Sequence, residues 1–142
     1  MNRLLAGSLT ALALIACGGP APTADGGCRF PSQPLLSQAS DGGLLRISVW
    51  SCPGQPPPRG LDTFQYDVSD ASGAPRDGLD VTVTTFMPEM GHGASVVPTV
   101  TPEGQGLYLV SDVYLFMTGE WQLQTTFAGP VQDHATFTFQ VQ

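Results

Sequence analysis

From Leu44 onward the chain is a succession of short runs in which apolar and polar positions alternate, separated by clusters of Gly, Pro, Asp and Ser. Such two-residue periodicity predicts strands with one buried face. The run LLRISVW (Leu44 to Trp50) predicts the first strand, ended by Cys52-Pro53-Gly54 and Pro56-Pro57-Pro58. TFQYDVS (Thr63 to Ser69) puts Phe64, Tyr66 and Val68 on one face and breaks at Asp70-Ala71-Ser72-Gly73. LDVTVTTF (Leu79 to Phe86) alternates Leu79, Val81 and Val83 against Asp80, Thr82 and Thr84. ASVVPTV (Ala94 to Val100) reads as an edge strand because Pro98 cannot donate to a ladder. LYLVSDVYLFM (Leu107 to Met117) carries an expected bulge at Ser111-Asp112, and EWQLQTTF (Glu120 to Phe127) aligns Trp121, Leu123, Thr125 and Phe127. ATFTFQV closes the series with Phe137, Phe139 and Val141 on one face.

About seven short strands at this spacing predict an all-β chain folded as an immunoglobulin-like β-sandwich, with an up-and-down barrel as the alternative. Gly119-x-Trp121 resembles the aromatic corner such sandwiches build. Composition agrees: Gly (17) and Pro (13) are abundant and only 12% of residues are charged, which suits many turns and little helix. At 142 residues the chain holds one domain of this kind. Its charge is −7, it contains no lysine, and its five basic residues are Arg3, Arg29, Arg46, Arg59 and Arg76. No basic footprint for nucleic acid is present, so none is expected as a partner.

The first residues have a different character. MNRLLAGSLTALALIACGG starts with Arg3 and runs apolar from Leu4 to Ala16, too short for a stable bilayer span. Leu14-Ile15-Ala16-Cys17 resembles the lipobox of bacterial lipoproteins, in which the cysteine becomes the lipidated first residue of the mature chain. Residues 1–16 then read as a lipoprotein signal peptide, 17–43 as the lipidated Cys17 and a flexible tether ordered only near Cys28, and 44–142 as the sandwich domain. A multi-chain lipid anchor holds a protein at a membrane without a transmembrane helix. The expected location is the bacterial cell envelope. Gly18 after the cysteine resembles lipoproteins passed on to the outer membrane, where the organism has one. In an exported chain the two remaining cysteines, Cys28 and Cys52, are expected to pair as a disulfide, a thiolate metal site being the rival.

The octapeptide FMPEMGHG (Phe86 to Gly93) carries the chain's candidate chemistry. If successive strands reverse, two reversals separate this loop from the one after Met117, so both lie at one end of the sandwich. Met87, Met90, His92 and Met117 would gather there, with His134 at the opposite end. Thioethers are soft and uncharged and select Cu(I), and imidazole is an acceptable companion. Protons would compete only at His92, because a thioether has none to lose. The structural alternative is equally concrete: Met fills irregular gaps, so Met87 and Met117, beside Phe86 and Phe116, would plug one end of the core, and His92 between two glycines would be a turn residue.

VTTFMPEMGHG, preceded by GAPRDGLDV and followed by GQGLYLVSDVYLFMTGEWQLQTTF, resembles the YtkA-like domain, which is related to the FixH family. The shared features are a G-x-P turn, the MP-x-MGHG loop, a G-x-Y strand and an F-x-M-x-G-x-W segment, over roughly Gly60 to Gln142. The resemblance implies a small extracytoplasmic β-sandwich, often lipid-anchored, associated with copper handling and respiratory-oxidase assembly. It makes Met87, Met90, His92 and Met117 candidate Cu(I) ligands and an envelope or respiratory-assembly protein a candidate partner. The chain departs from FixH proteins in having no true transmembrane anchor.

The competing reading is a metal-free envelope interaction module that uses the loop or an edge strand. No enzyme is expected: HExxH, a phosphate-binding glycine loop, CxxC and a nucleophile elbow are all missing from the sequence. Asp133 and His134 are adjacent, which on a strand points them to opposite faces.

Overall fold

The computed structural model describes residues 28–142. Residues 1–16, read above as a signal peptide, and Cys17, read as a lipidation site, lie outside the described residues.

Alternation in the sequence becomes alternation in burial. It is strictest in the last strand, β8 (Asp133–Val141), where every second residue is buried. The others, in chain order, are β1 (Leu36–Ala39), β2 (Leu45–Cys52), β3 (Gly60–Asp70), β4 (Asp80–Phe86), β5 (Thr99–Gly104), β6 (Leu107–Leu115) and β7 (Gly119–Ala128). They form two antiparallel sheets, one ordered β1-β2-β3-β6-β5 and one ordered β4-β7-β8. The inner faces meet in a β-sandwich and the sheets do not close on themselves, which decides against the barrel. Among the described residues no helix is long and apolar enough to cross a membrane.

The core is aromatic at its centre. Phe64 and Tyr66 of β3 meet Phe139 and Phe137 of β8 at ring-centroid distances of 5.4 and 5.2 Å. The Tyr66 hydroxyl, inside this layer, bonds to Thr125 Oγ1 at 3.1 Å, so the polar group is satisfied where water is excluded. The expected bulge is present: Asp62 pairs with Val113 and Phe64 with Val110, so Thr63 faces both Ser111 and Asp112, and Asp112 takes φ 60°.

Two expectations need correction. Strand β1 lies inside the stretch 17–43 read as a tether, so the sandwich has eight strands and ordered chain before position 44. The fifth strand begins at Thr99, not Ala94, because residues 87–98 must carry the chain from β4 in one sheet to β5 at the edge of the other.

This topology fixes two poles. At one, β2, β4, β6 and β8 end and β3, β5 and β7 begin. The loop 87–98, the turn 116–118 and the segment from Cys28 to β1 all lie there. The β1–β2 turn and the β7–β8 hairpin lie at the other, tied by the Asp41 amide donating to the His134 carbonyl at 2.7 Å.

Candidate metal-binding pole

The loop after β4 is a tight closed turn. Met87 and His92 form an antiparallel bridge, with the Met87 amide donating to the His92 carbonyl at 3.0 Å. Inside it the amides of Met90 and Gly91 both donate to the Met87 carbonyl, at 3.1 and 3.0 Å. The two glycines flanking His92 have separate causes. Gly91 takes φ +67°, the left-handed conformation that a β-carbon disfavours, and Gly93 lies so close to the Thr85 carbonyl that no side chain fits.

Opposite this loop stands the turn after β6. The Trp121 indole N–H donates to the Met117 carbonyl at 2.9 Å, and its ring meets Phe116 edge-on with centroids 5.1 Å apart. This is the aromatic corner suggested by Gly119-x-Trp121. Phe116 also stacks with the His92 ring, nearly parallel at 6° with centroids 6.1 Å apart. His92 therefore rests on the residue next to Met117, and the loop and turn that two strand reversals predict at one pole are in contact.

The four candidate donors divide between core and surface. Met87 is 2% exposed and belongs to the hydrophobic core, continuing the inward row Val81, Val83 and Thr85. It plugs the end of the sandwich, as the packing alternative expects. Met90 and Met117 are instead 48% and 37% exposed, and His92 is exposed. His134 lies at the opposite pole, its Nδ1 3.3 Å from Thr126 Oγ1.

His92 Nδ1 is 3.2 Å from the Gly93 carbonyl oxygen. A carbonyl only accepts, so the tautomer that makes this bond carries its proton on Nδ1 and leaves the Nε2 lone pair free. Metal-binding imidazoles are commonly oriented in this way. The surface donor set, two thioethers and one imidazole, suits a soft monovalent ion. Among the described residues no group of three or more His, Cys, Asp or Glu could hold a metal ion. Cys28 and Cys52 are joined to each other, which realises the expected disulfide and removes them as thiolate ligands.

Three polar residues have roles that the sequence does not reveal. Tyr108, of the G-x-Y segment, donates to the Arg76 carbonyl at 2.8 Å and accepts from the Leu79 amide at 3.2 Å, so this motif fastens the far pole. Asp133 accepts from Ser40 Oγ at 2.6 Å, from the Gly42 and His134 amides at 2.8 Å, and from the Leu44 amide at 3.3 Å. Burial alone would raise its pKa, but these bonds outweigh it and bring the value down to about 2. Asp62 is buried with neither carboxylate oxygen hydrogen-bonded, and burial pushes its pKa up to about 7. A strand begun one residue earlier, at Asp62, reveals its inward position, since Asp62 shares the inward face of Phe64, Tyr66 and Val68.

Comparison with known families places most of these elements together. A protein-family model described as YtkA-like matches residues 53–126, over half of the chain, from the end of β2 through most of β7. No curated protein and no solved structure matches the chain.

Proposed function

The chain belongs to the YtkA-like family, and we propose that this member is a lipid-anchored, non-catalytic domain of the bacterial cell envelope that binds Cu(I) as a carrier or sensor. Cys17 is the anchor. Met90, His92 and Met117 are the donors, and Met87 holds up the loop from within. The observation that carries this reading is the stacking of His92 on Phe116, which lays the Met90 turn against the segment that ends in Met117. Bound there, Cu(I) would be cargo held by uncharged donors. The Nδ1 contact to Gly93 keeps the imidazole oriented with Nε2 outward.

The test is a Cu(I) competition titration of the chain with Cys17 lipidated or replaced by Ala, so that no free thiol competes. A Met90→Leu plus His92→Ala variant and a Met117→Leu variant should each bind more weakly, and Met87→Leu should bind as the parent does. Equal affinity throughout would remove the site. Acid should weaken binding in the parent and not in a His92→Ala variant, because only the imidazole takes up a proton.

A second reading is a metal-free module that docks another envelope protein or a respiratory-assembly partner. It is favoured by β5, an edge strand whose residues are largely exposed. Unchanged copper affinity together with capture of a partner that fails after charge substitutions along β5 would select it.

A further inference from the structure

Exposed apolar side chains are not spread evenly over the sandwich. Of the seven large hydrophobic residues exposed among the described residues, Leu44 alone lies at the far pole. The other six are Leu61, Met90, Val96, Val97, Tyr114 and Met117. Leu61 and Tyr114 are direct cross-strand partners at the ends of β3 and β6, and Val96 and Val97 sit in the loop that precedes β5. Leu61 is 65% and Val97 75% exposed, values that core packing does not account for.

Charge is biased along the same axis, with most of the acidic residues toward the far pole. Asp41, Asp70, Asp77, Asp80, Glu103 and Asp133 lie toward the far pole, on or beside the turns that join β1 to β2, β3 to β4, β5 to β6 and β7 to β8. Arg29 and Arg59, two of the four arginines in the described chain, adjoin the apolar pole, beside Cys28 and at the start of β3, together with Glu89 in the loop after β4 and Glu120 at the start of β7, while Arg46 and Arg76 lie toward the far pole.

The chain also enters at the apolar pole, because the disulfide fixes Cys28 to Cys52 at the end of β2. About 11 residues separate Cys17 from Cys28, which span at most roughly 40 Å when fully extended. A lipid on Cys17 would keep this pole within reach of the bilayer without itself determining which surface faces it.

We propose that the pole carrying Leu61, Val96, Val97 and Tyr114 docks on the lipid surface, with these side chains at the headgroup boundary and the acidic pole directed away. The proposal rests on Cys17 being lipidated, as in the preceding section. A tyrosine beside aliphatic residues suits the membrane interface, where an aromatic body is buried and its hydroxyl stays wet. Arg29 and Arg59 would face lipid phosphates and offset Glu89 and Glu120 at the same pole, whereas the far pole, where the acids outnumber Arg46 and Arg76, would be repelled by an anionic surface. The copper donors would then lie at the bilayer boundary, where exchange with a membrane-embedded protein needs no detachment of the anchor.

Amide hydrogen exchange on the lipidated full chain, in vesicles of phosphatidylethanolamine and phosphatidylglycerol, tests this directly. The reference is the Cys17→Ala chain without vesicles. Amides of residues 89–97 and 116–118 should exchange about tenfold more slowly on the vesicles, and those of the β7–β8 hairpin should be unchanged. A Leu61→Ser plus Val97→Ser variant, altered only at exposed positions, should float with the vesicles yet lose that protection. Flotation without protection at this pole, or protection that survives the double substitution, would overturn the docking while leaving the anchor intact. Failure of the full chain to float would overturn both. Protection of the same segments in the Cys17→Ala chain that grows with protein concentration would assign the pole to self-association and reject the membrane.

Discussion

The methyl group of Met87 lies against Gly119, 3.0 Å from where a β-carbon on that glycine would stand. This contact joins the loop after β4 to the first residue of β7, and Met87 makes it from inside the core. Met87→Ala should therefore cost about 2–5 kcal/mol of unfolding free energy, as for other buried methionines. Met90→Leu and Met117→Leu, on the surface, should stay within about 0.5 kcal/mol of the parent. Gly119→Ala should destabilise even in a Met87→Ala background, because Gly119 holds φ +126°, a conformation that a β-carbon strains whatever the space around it. Urea unfolding of the four single variants and the Met87→Ala/Gly119→Ala double variant checks the set; full rescue of Gly119→Ala by Met87→Ala would show the clash, not the backbone, to be the cause.

The disulfide closes the chain between Cys28 and Cys52, a separation of 24 residues. In the chain-entropy description a loop of that size stabilises the folded state by about 3.5 kcal/mol. Replacing both cysteines by Ser should lower the urea midpoint accordingly and leave the strands of the far pole intact. A loss below about 1 kcal/mol would mean that the unfolded chain is already restrained near these residues.

Much of this architecture was legible because each long strand has one dry face. Phe137, Phe139 and Val141, or Val81 and Val83, declare their inward side by period alone, and the parity of reversals then brings His92 and Met117 to one pole. Strand β1 was hidden because Leu36–Ala39 is four residues long, sits at a sheet edge and is only half-buried, which leaves too little periodicity to read. Val96 and Val97 look β-prone but lie in the sheet-to-sheet connection, where their exposure is a matter of topology. Which methionine is interior was readable in principle: extending the inward row of β4 by two residues reaches Met87. The Phe116 platform under His92 and the Asp133 knot at the other pole depend on contacts between distant segments, and no local pattern announces them.

Asp133 holds the β1–β2 turn to the start of β8 through Ser40, Gly42 and Leu44. Its folded pKa lies below its ordinary value of 3.8, at about 2. The stabilisation is thus present above pH 4 and lost as pH falls through about 2, where the folded carboxylate takes up its proton. Asp133→Asn should destabilise the fold by about 1–3 kcal/mol at pH 6, since an amide cannot accept all of these bonds with full charge. Near pH 2 the parent and variant should converge. A stability gap that is constant from pH 6 to pH 2 would contradict the assignment.

Asp62 has the opposite sign. Its carboxyl faces the interior of β3 near the methionine pole, without a hydrogen-bond partner, and burial raises its pKa from 3.8 to about 7. Between those values the folded state keeps the proton that the unfolded chain has released, so stability declines as pH rises from 4 to 7 and then levels off. The loss is on the order of 3 kcal/mol, because each pH unit in that interval corresponds to about 1.4 kcal/mol for one group. Asp62→Asn cannot ionise, so it should erase this slope: the variant should be more stable than the parent at pH 8 and have no such advantage at pH 4. Urea unfolding at several pH values separates this effect from that of Asp133, whose window lies below pH 4. Parallel stability curves for parent and Asp62→Asn between pH 4 and pH 8 would mean that Asp62 is solvated or paired in solution and does not carry the burial cost.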